Sequence, residues 1–433
     1  MKIDLLITNC VLLPCPGSDT MLAPSFIAIS DSRITQIGPM AECPVTEIRT
    51  HLDGQGQLAM PGLVNGHCHA PMTLFRGMAD DLALTSWLHD HIFPAEARHV
   101  HPEMVYWCAQ LAAAEMLLGG ITTVADGYFL EDVVARACAE TGIRCVAAQG
   151  VIDFPAPGVA DPALNLEAAH CFLEQWQNRD PLITPAVFVH SPYTCSNQTL
   201  VRAKELTRKY RASLFIHVAE TRDEIHQIAN PLAATPIRHL DALGLLDRDT
   251  VCVHCAWADD HDLDILAERQ AGVVICPQSN LKLASGRAPL LAMLERQVRV
   301  GLGTDGAASN NSLDMFREMD MAAKIQKISP CDPVAVPAER ILAIATSGGA
   351  SVLGFGPGHG LLASGSPADL IFIDQQQPHL QPFHSPNLLV YSAGAADVRT
   401  VIVNGRLVVH NRELLTINLQ DTMDRVRRLA GSS

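Results

Sequence analysis

SLFIHVAET, residues 213–221, closes an apolar run on a histidine and, three positions later, a glutamate. A short apolar run of this kind reads as a strand buried on both faces, the sort found in parallel sheets. A single histidine after such a strand is most often a packed polar group. His217 and Glu220 therefore gain meaning only from what else in the chain can meet them.

Similar runs recur between about residues 60 and 310: LVNGHCH (63–69), ITTVAD (121–126), RCVAAQ (144–149), AVFVH (186–190), LFIHVAE (214–220), VCVHC (251–255), GVVICPQSN (272–280) and VRVGLGTD (298–305). Amphipathic stretches separate them, the pattern of parallel strands joined by crossover helices. Eight such units predict an α/β fold, a (β/α)8 TIM-type barrel. Most of the polar residues fall at the C-terminal ends of the runs, where these barrels build active sites.

The flanks read differently. Residues 1–58 and about 358–415 are short β-like segments broken by Gly, Pro and Asp, such as FIAISDSRITQIG and ADLIFID. They predict a small β-sandwich-like domain assembled from both termini (1–58 and 358–433) beside a barrel spanning 59–357, with a final helix over roughly 419–430.

The 433 residues are enough to bury a sizeable core, and 48% hydrophobic with 18% charged residues fits a globular protein. No stretch approaches the roughly 20 consecutive apolar residues of a membrane helix. The opening MKIDLLITNCVLLPC lacks the basic start and cleavage site of a signal peptide and reads as a strand. Thirteen scattered cysteines fit reduced thiols and a cytoplasmic location. A net charge of -15 without a Lys/Arg cluster argues against nucleic acid as a partner.

The first run ends in His67-Cys68-His69. Strand side chains alternate faces, so His67 and His69 can reach one ion while Cys68 turns away. Alone, this spacing is weak evidence. Three further strand ends carry His217, His254 and Asp305, and a closed barrel brings such ends to one mouth. Neutral imidazoles with a carboxylate suit Zn²⁺ or Fe²⁺. The fourth run ends at His190 with no lysine nearby to bridge a second ion, so one divalent metal ion is expected. Glu220, just past His217, then sits as a proton donor, and Glu220, His254 and Asp305 are the groups available to move protons during chemistry at a C–N bond. The bland alternative for Glu220 is a surface carboxylate at a helix start.

The runs MPGLVNGHCHAPMTLFRGMADDLALTSWL (60–88), HSPYTCS (190–196), HVAET, PQSNLKLASG (277–286), LGTDGAASNNSLDMF (302–316) and the closing ASGSPADLIFID together resemble the amidohydrolase superfamily. More narrowly, they are similar to its 5′-methylthioadenosine/S-adenosylhomocysteine deaminases. The resemblance implies that His67, His69, His217 and Asp305 bind one metal ion, zinc or iron, and that His254 helps activate water. It implies that Glu220 protonates the purine nitrogen beside the attacked carbon and that Asp305 passes a proton to departing ammonia. It further implies that Glu96 holds ribose hydroxyls, Trp87 packs on the ligand, His190 hydrogen-bonds the purine, and the chain forms a homo-oligomer.

One departure stands out. Relatives that accept S-adenosylhomocysteine bind its carboxylate with arginines, one at the end of the third strand, where this chain has Gln149. No Lys or Arg occurs between Arg144 and Arg179. A buried carboxylate without a cation is costly, so neutral 5′-substituted adenosines are expected to be preferred.

Other features read as ordinary structure. His89 and His91 repeat the HxH spacing in a helical or lid segment, where residues two apart do not share a face. His99 and His101 precede Pro102 at a helix start, as solvated or capping residues. Cys252 is expected to share the face of His254 and Cys255 to point the opposite way, both as core residues. VYWCAQLAAAEMLL (105–118) reads as a barrel helix. The leading expectation is hydrolytic removal of the 6-amino group of an adenosine-type nucleoside. The alternatives are deamination or dechlorination of a guanine, pterin or triazine, or a non-catalytic metal-binding scaffold.

Overall fold

The computed structural model describes residues 2–17, 20–228 and 235–431. Eight parallel strands follow one another in chain order: Leu63–Cys68, Ile121–Tyr128, Arg144–Val151, Ile183–Val189, Leu214–Val218, Thr250–His254, Gly272–Ile275 and Arg299–Leu302. Side-chain alternation sorts their residues into two cores. Val64, Ala125, Val146, Ala148, Phe188, Phe215, Val251, Val253 and Val274 fill the barrel interior. Val124, Cys145, Ala147, Val187, Ile216, Cys252 and Val273 point outward under the helices.

The barrel is nearly closed, because the segment after the eighth strand meets the first. Asp305 N donates to His67 O at 3.0 Å, and a Cβ on Gly303 would come within 2.9 Å of His67 Cβ. Only glycine allows that approach.

The terminal segments form one mixed nine-stranded sheet. It takes Ile3–Leu12, Leu22–Ser30, Arg33–Pro39, Ile48–Asp53 and Leu58–Pro61 from the N-terminal part and Leu370–Ile373, Val398–Val403, Arg406–His410 and Glu413–Leu414 from the C-terminal part. Its first strand contributes to two apolar clusters, Leu5 and Ile7 to one and Ile3 and Leu6 to the other. Leu58–Pro61 pairs antiparallel with Leu370–Ile373, so the small sheet hands the chain to the first barrel strand at Leu63.

Helix Pro102–Leu118 lies in the main core and is capped by His101, whose Nδ1 accepts from Met104 N at 3.4 Å. The last helix, Leu419–Leu429, packs on it, with Arg425 over the Trp107 ring. Among the described residues no helix is long and apolar enough to cross a membrane.

The CVHC segment departs from its expected reading. Cys252 lies outside the barrel while His254 faces the mouth, because His254 (φ 74°) and Cys255 (φ 47°) are left-handed and break the alternation. Cys252 and Cys255 remain free, buried core residues.

Candidate active site

The histidines expected at strand ends come together. The ring nitrogens of His67, His69 and His217 that could hold a metal ion lie within 4.8 Å of one another. His67 Nε2 is 3.3 Å from His217 Nε2, and Asp305 Oδ1 is 3.4 Å from the Nε2 atoms of both His67 and His69. The His254 ring stands 5.3 Å from that of His217.

Local backbone aims these groups. The pairing of the first two strands is irregular between Asn65 and Cys68, which brings His67 inward. Ala219 (φ 52°), His254 (φ 74°) and Asp305 (φ 60°) are left-handed immediately at or beyond their strands. Such conformations cost energy outside glycine and collect at functional sites.

At two of these histidines the other ring nitrogen has a carbonyl partner. His69 Nδ1 meets Gly127 O at 2.5 Å and His217 Nδ1 meets His190 O at 2.9 Å. Bonding to a carbonyl places the proton on Nδ1 and leaves Nε2 as a lone pair. Burial lowers His67 to about 4 and holds His69, His217 and His254 below their ordinary range, so the imidazoles are neutral. Burial alone would raise Asp305, but opposing effects, led by its hydrogen bond with His67, keep its carboxyl well below the usual range. Neutral nitrogen lone pairs and an ionised oxygen crowded into one space are a donor set that fits a divalent cation.

Glu220 is buried and its Oε2 lies 3.7 Å from His254 Nε2. Burial first, then the charge of Asp305, pushes its pKa up to about 8, so without an ion nearby it carries its proton at neutral pH.

His69, His217, His254, Asp305 and Glu220 line a cavity of about 600 Å³. Glu96 enters it from helix Phe93–His99, buried, raised to about 7 by desolvation, and accepting from Tyr128 Oη at 2.6 Å. Trp87 is also buried at the cavity, with no partner for its indole N–H among the described residues. His190 faces the cavity with Nδ1 3.0 Å from Thr194 Oγ1 and is lowered to about 3 by burial. His89 and His91 are exposed, His89 edge-on to Phe93.

Gln149 is a correction. It belongs to the outward parity of the third strand, since Val146 and Ala148 fill the interior. Its amide is spent on Glu131 N at 3.1 Å and Gly150 O at 3.2 Å, and it does not line the cavity. That end of the cavity is instead formed by Phe129, Ile152, Phe154, Pro155 and Pro157, and no Lys or Arg lines it among the described residues.

Several supporting residues escaped the sequence reading. Ser279 and Ser309 both donate to Asp305 Oδ2, at 2.6 and 2.8 Å. Asn280 Nδ2 meets His254 Nδ1 at 3.2 Å. Glu224 accepts the backbone N–H groups of Ala219, Glu220 and Thr221. PQSN and GAASN were visible as motifs; the roles inside them were not.

A barrel with this mouth defines a class, that of the metal-site hydrolases, and the comparisons agree: residues 58–408 match the model of the Amidohydrolase family, to which this chain belongs. It is 44% identical over 432 residues to a 5-methylthioadenosine/S-adenosylhomocysteine deaminase of Syntrophobacter fumaroxidans, covering 99% of this chain and 98% of the relative. It is 42% identical over 399 residues to a 5'-deoxyadenosine deaminase of Methanothermobacter thermautotrophicus, covering 92% of each. The crystal structure of an adenosine deaminase from Xanthomonas campestris with bound zinc superposes with a TM-score of 0.96 at 36% identity, covering 99% of this chain and 98% of that one.

Proposed function

We propose that the chain is a metal-dependent aminohydrolase that replaces the 6-amino group of an adenosine-type nucleoside with oxygen from water, releasing ammonia. The observation that carries this reading is the meeting of His67, His69, His217 and Asp305 beside a buried Glu220, in a cavity that also contains the buried Glu96. The relatives named for deamination of such nucleosides support it.

His67, His69 and His217, through Nε2, and Asp305, through Oδ1, would hold one ion, zinc before iron. When bound, that ion supplies the Lewis acidity that makes water a nucleophile near neutral pH. The remaining work falls to the protein. Glu96 accepts from ribose hydroxyls, Trp87 packs on the nucleoside, and His190 hydrogen-bonds the purine. Glu220 delivers its proton to the ring nitrogen beside C6 as oxygen adds there. His254 takes one proton from the attacking water and returns it to Glu220, while Asp305 takes the remaining proton from the added oxygen and passes it to the amino nitrogen, which departs as ammonia.

The cavity end without a cation disfavours a 5′ tail ending in ionised groups. Methylthioadenosine, adenosine and 5′-deoxyadenosine are therefore placed ahead of S-adenosylhomocysteine. A cytoplasmic homo-oligomer, with the barrel over 59–357 and the flanking unit over 1–58 and 358–433, completes the proposal.

The test is ammonia release from metal-loaded protein given methylthioadenosine, 5′-deoxyadenosine, adenosine, S-adenosylhomocysteine and guanine in parallel. Turnover of the neutral adenosines that collapses in Glu220→Gln supports the reading. Turnover of guanine alone, or silence on every adenosine, contradicts it.

A further inference from the structure

Asp305 is clamped by two serines that stand on different elements. Ser279 belongs to the short helix Pro277–Lys282 after the seventh strand, and Ser309 to the single turn Ala307–Asn310 after the eighth. Both hydroxyls donate to Oδ2, while Oδ1 accepts from Gly306 N at 2.7 Å. Neither short element has the length to hold its own position.

What joins them is one carboxylate. Glu318, on helix Met315–Ile328, is fully buried. Its Oε2 accepts from Gln278 N at 3.1 Å, and its Oε1 accepts from Gln278 Nε2 at 2.9 Å and Asn310 Nδ2 at 2.6 Å. Gln278 precedes Ser279, and Asn310 follows Ser309. Asn310 Nδ2 also reaches Thr304 O at 2.7 Å, beside Asp305. All three partners of Glu318 are N–H donors, so a carboxylate matches them and a glutamine would turn its own N–H₂ toward one of them.

We propose that Glu318 is a positioning residue: it locks the two short elements together and thereby aims Ser279 and Ser309, and through them the Asp305 carboxylate, at His67 and His69. This rests on the reading of that cluster as the metal site. Glu318 touches neither the ligands nor the cavity, and its effect must pass through the serines.

The test uses the zinc-loaded full chain of wild type, Glu318→Gln, the double variant Ser279→Ala/Ser309→Ala, and the triple combination. It follows the rate of zinc loss to a chelator, and separately kcat and KM for methylthioadenosine. Glu318→Gln is expected to lose zinc about tenfold faster and to lower kcat by a similar factor, with KM within about threefold of wild type. Added to the two serine substitutions it should change zinc loss by no more than about twofold, as for residues acting through one another. Effects that multiply, or a Glu318→Gln protein that melts earlier while keeping its zinc and kcat, would overturn the proposal. If Glu318→Gln does not fold, Gln278→Leu removes one of the three bonds while leaving the Asn310–Thr304 contact in place, and must still speed zinc loss; an unchanged rate overturns the proposal. Zinc loss needs no substrate, so a wild type that retains zinc but is silent on every adenosine sinks the deaminase reading and leaves this one standing.

Discussion

Glu224 accepts the backbone N–H of Glu220 at 2.7 Å, so one buried carboxyl group holds the main chain that carries another. Its second oxygen takes Ala219 N at 2.7 Å, across the left-handed residue that turns the chain out of the fifth barrel strand. The turn that presents the expected proton donor is thus tied from below.

Glu224→Ala leaves three N–H groups without their acceptor. A loss of about 2–4 kcal/mol of stability is expected, measured as a lower denaturation midpoint at equal slope. Glu224→Gln should retain more of that stability and still lower kcat, because Glu220 is no longer held.

Glu220→Gln keeps the shape of the site and removes its transferable proton. The expected outcome is a fall in kcat of about 10²–10⁴-fold with bound metal unchanged by elemental analysis. A kcat within tenfold of wild type would remove Glu220 from the reaction.

Glu96 gives a pH signature. Its pKa is raised from 4.5 to about 7 by burial, so below pH 7 it is protonated and a poorer acceptor for ribose hydroxyls. An arm of kcat/KM should rise with pH up to about 7 and then level off, and it should vanish in Glu96→Gln. Tyr128 lowers this pKa by donating to the ionised form, so Tyr128→Phe should move the arm to higher pH. In the stability profile the sign is opposite. A carboxyl raised on folding favours the folded chain fully below about pH 4.5, and that advantage is lost as pH rises through 7.

Phe154 lines the apolar end of the cavity. Phe154→Arg supplies the missing cation and should raise kcat/KM for S-adenosylhomocysteine relative to methylthioadenosine by about tenfold. A ratio unchanged in competition assays would place the 5′ tail elsewhere.

The barrel was legible because eight apolar runs must be buried on both faces, and the histidines and Asp305 were legible because they terminate those runs. What escaped depended on backbone turns and tertiary burial. His254 and Cys252 were assigned to one face by alternation, which two left-handed residues cancel. Gln149 was expected among the substrate-binding residues because it stands where the resemblance implies an arginine, but parity turns it outward. Glu224 and Glu318 sit in helical sequence that reads as solvated; only the packed fold shows that both are buried and that each accepts three N–H bonds.

The central claim, one ion held by His67, His69, His217 and Asp305 serving hydrolytic deamination, is tested most directly by titrating chelator-stripped protein with Zn²⁺ while following ammonia release from methylthioadenosine. Activity should be absent at the start, rise linearly and saturate at one ion per chain, with no recovery in His217→Ala. Saturation at two ions, or turnover in stripped protein that added zinc does not change, would contradict it.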